Sequence, residues 1–237
     1  HYLYTRETKS SFAIEHEAPS PDRVERFLTV LQRAEEEDFC DPAHLLTLQN
    51  NIVYNEFQES GYRTTQNYVG ETIVWNKQRI HYVSPKPEDV PSLMEGLIEA
   101  HRRLESGGVP PAIHAAIIAY GFVFIHPFED GNGRIHRFLI HNILARRGFT
   151  PEGLMFPISA TMLRDLRAYN KSLEAFSRQL ITVVNYFVDD SGELTVYNDT
   201  APWYRYIDLT VQAEALYGFV TSTIENELPQ ELAFLAS

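Results

Sequence analysis

The sequence predicts an all-α fold, a helical bundle with a small β-hairpin flap. Three observations carry that expectation. Apolar residues recur at steps of three and four over most of the 237 residues. Ser-Pro, Asp-Pro and Pro-Pro steps open these runs and glycines close them. Only one stretch is rich in β-branched and aromatic residues.

Ser20-Pro21-Asp22 reads as a helix start, with a serine cap and proline at the first helical position. Val24, Phe27, Leu28, Leu31 and Ala34 follow at helical spacing. Asp41-Pro42 repeats the signal, with Leu45, Leu46, Ile52, Val53 and Phe57 as its apolar face. The β region covers 64–69 and 72–83, with turns expected at Gly70 and at Asn76-Lys77, giving one or two hairpins. Val90, Leu93, Met94, Leu97, Ile98 and Leu104 form the next stripe, stopped by Gly107-Gly108. Pro110-Pro111 opens a strongly apolar helix through Ile125. A helix over 134–147 is closed by Gly148, and 163–187 reads as one long helical stretch. A short strand pair is expected over 192–197. Asp208 caps a final helix through Leu228, and Pro229 starts a last short one.

Apolar residues make up 44% and charged residues 22%, a balance that excludes disordered, collagenous and disulfide-scaffold chains. The net charge of −12 repels phosphate backbones, so nucleic acid is a poor partner. Cys40 stands alone and cannot form an internal disulfide, which suits a reducing, cytoplasmic setting. The longest apolar run, 115–125, is too short to cross a bilayer, and no signal peptide is visible. The chain opens on His1 rather than Met and closes on a helical pattern, as a piece of a longer protein would.

The informative stretch is His126-Pro127-Phe128-Glu129-Asp130-Gly131-Asn132-Gly133-Arg134-Ile135-His136-Arg137. Pro127 disfavours helix at the residue before it, so the apolar helix should end at His126. Gly131, Asn132 and Gly133 tolerate positive φ and can aim successive N–H groups into one concavity. The helix that begins there adds free N–H donors and a partial positive charge, which together make an anion site suited to phosphate. Arg134 and Arg137 share a face of that helix and can add charge-assisted bonds. Asp130 is a hard oxygen ligand where Mg²⁺ would sit, and His126 can take a proton near neutral pH. This set can transfer a phosphoryl or nucleotidyl group.

The same string resembles the complete Fic family signature, His-x-Phe-x-(Asp/Glu)-Gly-Asn-Gly-Arg-x-x-Arg. Tyr62-Arg63-Thr64-Thr65-Gln66 followed by Val69-Gly70 resembles the start of the family's flap, and the likeness extends to 169–177. The resemblance implies a Fic-type bundle with three regions: an N-terminal helical region over 1–60, a catalytic core over 61–190 with its flap at 62–83, and a C-terminal helical extension over 191–237. It implies an enzyme that moves AMP from ATP to a hydroxyl of a target protein and releases pyrophosphate. His126 would be the general base and Asp130 would hold Mg²⁺. Gly131, Asn132 and Gly133 would cradle phosphates, Arg137 would grip the γ-phosphate and Arg134 would support the tail. Tyr169 would line the adenosine pocket beside Asn170, which stands where the family often has a second Tyr. Glu71, Thr72, Ile73 and Val74 would dock the target by strand addition. Phe128 would anchor the loop in the core.

Ser11-Phe12-Ala13-Ile14-Glu15 resembles the family's inhibitory helix, expected over about residues 10–17, with His16 where Gly or Asn is usual. The likeness implies that Glu15, with Ser11 beside it, occupies Arg137 and takes the place of the γ-phosphate. Alternatives from other classes are a de-AMPylating hydrolase using the same site, a nucleotide-sensing module, and a transcription regulator, which the acidic charge opposes. The implied partner is a protein with a Tyr, Thr or Ser acceptor, and self-modification and a homodimer are both compatible with it.

The remaining conspicuous residues have plainer readings. His114 reads as a satisfied buried histidine, and His101, His136 and His141 have no metal-ligand spacing. Residues 35–38 read as a solvated helix end, Trp75 as flap packing or a target contact, and Trp203, Tyr204 and Tyr206 as packing or a contact surface. Cys40 reads as inert.

Overall fold

The computed structural model describes residues 2–74, 77–230 and 233. Its first helix, α1 (Tyr2–Ile14), extends well before the 10–17 segment, and Glu15 and His16 lie in the turn beyond it. His16 takes φ 57°, the left-handed conformation that stops a helix, and Glu17 N–H reaches back to the Phe12 carbonyl at 3.1 Å. The left-handed residue sits where the resemblance leads one to expect Gly or Asn.

Proline at the first turn and a side-chain cap start the next two helices as the sequence predicts. Ser20 accepts from Arg23 N–H ahead of α2 (Pro21–Gln32), and Asp41 accepts from Ala43 and His44 N–H ahead of α3 (Pro42–Ile52). Phe57 does not continue the face of α3. The backbone turns extended at Val53, and Phe57 falls in a separate short turn (Asn55–Phe57), exposed.

One hairpin forms in this region, β1 (Tyr68–Val74) antiparallel to β2 (Lys77–Val83). Gly70 is not a turn. It lies within β1 at a bulge, where a Cβ would come within 2.7 Å of the Arg79 carbonyl, so close approach of the partner strand is what demands glycine. Residues 64–67 precede the strand, and Trp75 and Asn76 lie outside the described residues.

Helices α4 (Val90–Ser106), α5 (Pro111–Ile125) and α6 (Asn132–Arg146) follow the predicted spacing. α6 begins two residues before the predicted start, because Gly131 at φ 93° turns the chain directly into it. The stretch 163–187 is not one helix. Asp165 breaks it at φ −121° and ψ 62°, separating α7 (Ile158–Arg164) from α8 (Leu166–Leu180), and its carboxylate caps α8 through Ala168 N–H at 3.0 Å. Phe187 lies in β3 (Tyr186–Val188), which pairs with β4 (Leu194–Val196), so 192–197 supplies only one strand of the expected pair. After α9 (Ala201–Arg205), α10 (Thr210–Ser222) follows Asp208, which accepts from Thr210. The chain then passes through a π turn and is still helical at 228–230, so Pro229 starts no separate helix.

One apolar core joins the three expected regions. Phe12, Phe27 and Leu48 meet Phe122, Phe128, Phe138 and Met162, with Leu194 and Leu216 at its other end. α5 buries 12 of its 15 residues, which is why it is apolar all round. Among the described residues no helix is long and apolar enough to cross a membrane.

Candidate active site

The loop between α5 and α6 is fixed by backbone chemistry before any ligand is considered. His126 takes φ 53°, which costs an ordinary L-residue about 1 kcal/mol. Long-range hydrogen bonds hold it there. Buried Arg63 donates to the His126 carbonyl at 2.8 Å and to the Pro85 carbonyl at 2.6 Å, and its own N–H bonds Pro127 O at 2.9 Å. Phe128 is fully buried against Phe122 and Tyr62, as a loop anchor should be. Glu59 accepts from Glu129 N–H at 2.8 Å. Asn132 is turned inward and bonds the Phe128 backbone twice, at 3.1 and 2.7 Å, so its side chain staples the loop. Of the three residues expected to use positive φ, only Gly131 does so.

The Val123 carbonyl fixes the tautomer of His126. Its Nδ1 lies 3.0 Å from the Val123 carbonyl, which can only accept, so Nδ1 carries the proton and Nε2 is the basic nitrogen. Burial pulls the ring's pKa down to about 4, against a partial offset from the Val123 bond, so the imidazole is neutral at physiological pH. The ring borders two cavities. One of about 460 Å³ is also lined by Tyr82, Asn170, Leu173 and Glu174. The other, of about 140 Å³, is lined by Asp130, Gly131, Gly133 and Arg134 at the N-terminus of α6.

Glu15, in the turn after α1, lines the smaller cavity. Arg137 is buried, and each of its guanidinium nitrogens has a partner: Nε to Ser11 Oγ at 2.9 Å, Nη1 to Tyr169 OH at 3.3 Å, and Nη2 to Ser11 O at 2.8 Å and Glu15 Oε1 at 2.7 Å. The Glu15 carboxylate lies against Gly133, where a Cβ would overlap it. Desolvation would raise the Glu15 pKa, but the Arg137 charge and hydrogen bond, with Arg134 adding, hold it below the ordinary carboxylate value. Arg134 Nη2 bonds Asp130 Oδ1 at 2.8 Å, and its Nη1 bonds Glu17 Oε2 at 3.0 Å.

The structure therefore brings Ser11, Glu15, His126, Asp130, Gly131, Gly133, Arg134 and Arg137 together. Tyr169 is 3% exposed and stands behind Arg137 rather than on the larger cavity, whose wall in that stretch is Asn170. Glu71 lines the larger cavity and pairs with Arg79 at 3.1 Å, while Thr72 and Ile73 are exposed on β1. The Val74 side chain lies outside the described residues. Sequence reasoning missed the scaffold: Glu59 and Arg63 hold the loop through backbone atoms, and Arg23 and Glu17 flank Arg134.

Other conspicuous groups have structural partners. Arg147 donates to His114 Nδ1 at 2.9 Å, so His114 Nε2 carries a proton toward His101 Nδ1 at 3.0 Å, and His101 Nε2 in turn donates to Asp38 at 3.2 Å. Asp38, His101 and Glu105 could converge on a cation, but Arg146 already bridges Asp38 at 3.4 Å and Glu105 at 3.0 Å. The acidic stretch 35–38 is thus not merely solvated, since Asp38 closes this network and Glu35 accepts from Gly153 N–H at 3.0 Å. Cys40 is buried, and burial pushes its thiol pKa up. Tyr204 is buried with its OH on Val83 O at 2.6 Å, whereas Trp203 and Tyr206 are exposed.

Residues 39–144 match the Fic/DOC family. The chain is 37% identical over 90 residues to Protein adenylyltransferase Fic of Drosophila grimshawi, covering 38% of this chain and 17% of that protein. It is 31% identical over 132 residues to Protein adenylyltransferase fic-1 of Caenorhabditis elegans, covering 55% and 24%. The chain thus spans a quarter or less of these relatives' length. Among solved structures, a Fic family protein from Desulfovibrio desulfuricans G20 superimposes with a TM-score of 0.57 at 23% identity, over 95% of this chain and 65% of that one. A Fic domain containing signaling protein from Bacteroides thetaiotaomicron gives 0.58 at 18%, over 94% and 87%. At these identities the superpositions speak to the fold. The matched residues, from Phe39 to Leu144, include the loop and the helices on either side of it, so the part of the chain that resembles the Fic/DOC family is the part that builds this site.

Proposed function

We propose that the chain is a protein adenylyltransferase that moves AMP from ATP to a side-chain hydroxyl of a target protein, and that Glu15 holds it off. The observation that carries this reading is the junction of the two cavities. A neutral imidazole shares a cavity with a helix N-terminus, with Arg134, which holds Glu17, and with Glu15, whose carboxylate Arg137 holds. A triphosphate that displaced Glu15 would meet Arg137 and the N–H groups at the start of α6. The acceptor hydroxyl would attack the α-phosphorus and give its proton to His126 Nε2, while the bond from that phosphorus to the pyrophosphate oxygen breaks.

Asp130 is the residue that would hold Mg²⁺. Its carboxylate lines the anion cavity and is partly exposed, which fits a hard cation. When bound, that ion neutralises phosphate charge. The base and ribose would take the larger cavity beside Asn170, and the exposed edge of β1 over Glu71, Thr72, Ile73 and Val74 would align the target, with the chain itself as one candidate. The reducing, cytoplasmic setting inferred from the lone Cys40 suits this chemistry.

Intact-mass measurement after incubation with Mg-ATP tests the proposal. Glu15→Gly gains AMP adducts that the parent chain lacks, because a carboxylate and a γ-phosphate cannot share one guanidinium. Equal masses in both chains, with no ATP bound to either, would sink the idea. A second reading rests on Glu15 and His126 lining one cavity: together they could orient and deprotonate water, removing AMP from a modified protein. Free AMP released from a modified target by the parent chain, and not by Glu15→Gly, distinguishes this reaction.

A further inference from the structure

Glu15 is not the only carboxylate that the end of α1 delivers to the arginines of α6. Glu17 Oε2 lies 3.0 Å from Arg134 Nη1 and 2.9 Å from Arg23 Nη2. Two residues apart on a continuing helix, Glu15 and Glu17 would point in nearly opposite directions. The left-handed turn at His16 brings both onto the start of α6.

We propose that Glu17 is a second inhibitory carboxylate, holding Arg134 as Glu15 holds Arg137. This rests on the adenylyltransferase reading above and adds to it a two-point latch. Arg23 is the fixed half of the latch. Its side chain is 1% exposed, its Nε and Nη2 donate to the Ile52 carbonyl at 3.2 and 2.9 Å, and its guanidinium lies 3.7 Å from the centroid of the Tyr54 ring. Arg23 therefore stays in place when the end of α1 moves, and draws Glu17 back.

Arg134 is the shared half. Its guanidinium packs over Phe12 of α1 and bridges Glu17 to Asp130. A phosphate oxygen arriving at Arg134 must displace Glu17, just as one arriving at Arg137 must displace Glu15. The triphosphate tail thus competes with two carboxylates of one three-residue segment. Release of either one alone leaves the segment tethered by the other.

ATP affinity by titration calorimetry, with intact-mass readout of self-modification, tests this on the parent chain, Glu17→Gln, Glu15→Gly and the double variant. Glu17→Gln tightens ATP binding over the parent on the order of tenfold, and the double variant binds and modifies more than Glu15→Gly alone. Loosened seating of this segment would by itself raise the affinity of Glu17→Gln by freeing Arg137, but it would add nothing to Glu15→Gly, so a double variant equal to Glu15→Gly overturns direct competition at Arg134. Glu17→Asp is the safeguard for an unstable glutamine variant: it keeps a charge for Arg23, shortens the arm, and gives a smaller rise. ATP affinity unchanged in Glu17→Gln or Glu17→Asp, with the double variant equal to Glu15→Gly, overturns the latch and leaves the adenylyltransferase reading standing. A Glu15→Gly chain that neither binds ATP nor gains mass overturns both.

Discussion

His126→Ala, made in the Glu15→Gly background, lowers the rate of AMP transfer by about 10²–10⁴ and leaves the affinity for ATP in place. The separation follows from where the ring sits. Its Nδ1 is committed to the Val123 carbonyl, and Nε2 is the free basic nitrogen, at the junction of the two cavities. The groups that would hold phosphate are others: Arg134, Arg137 and the start of α6. A pure nucleotide-binding module has no use for a neutral imidazole there, so loss of transfer with retained binding is the outcome that selects catalysis. Alanine keeps the strained φ of 53° and gives up the Val123 bond, so the variant melts somewhat lower than its parent. His126→Asn is the control for that effect, because asparagine tolerates the left-handed region and can donate to the same carbonyl but cannot act as a base. Single-turnover transfer measured beside ATP titration decides it. Transfer retained by both variants would remove His126 from the chemistry.

The parts of this site that were legible in the sequence are those with local chemistry. The caps at Ser20 and Asp41, the glycine turn into α6 and the arginine pair three residues apart each state their geometry within a few positions. Glu15 and Arg137 are 122 residues apart, and their pairing was accessible only through the likeness to a known motif. The rest was hidden for two physical reasons. Arg63 holds His126 through a backbone carbonyl, and a carbonyl leaves no mark in the sequence. Asp165 interrupts a stretch whose apolar spacing runs on across the break, so 163–187 read as one helix that took in only the end of α7, and Tyr186-Phe187-Val188 was absorbed into its tail. Gly70 shows the converse, a correct sign of special backbone with the wrong cause, since close packing against Arg79 and not a turn excludes a side chain.

Stability falls steeply as pH drops from about 6.5 toward 4, and the fall starts above the range in which ordinary carboxylates take up protons. Three histidines at the centre of the molecule are held neutral, chiefly by burial. His114 on α5 and His126 after it are depressed to about 4, and His136 on α6 to about 3, from an ordinary value of 6.5. The Arg147 and Arg146 charges add to the shift of His114. Each folded value lies below the unfolded one, so between them the unfolded chain binds the extra protons and acid favours unfolding. The contribution of these groups is complete above about 6.5 and is lost as pH falls toward the folded values. The slope approaches three protons, each worth about 1.4 kcal/mol per pH unit. Glu7 and Glu15 act later. Burial alone would raise both, but His141 and Ser159 outweigh it for Glu7, and Arg137 does for Glu15, so both fall below 4.5 and their stabilisation is lost only below that value. Acid thus attacks the α5–α6 centre first and the seat of α1 second. Urea midpoints taken at half-unit steps from pH 7.5 to 4.5 measure the slope. His136→Gln keeps a donor for the Ala119 carbonyl, which His136 Nδ1 now contacts at 2.8 Å, and should remove one proton from the slope. A midpoint that stays level down to pH 5 would show that these rings can take up protons in the folded chain.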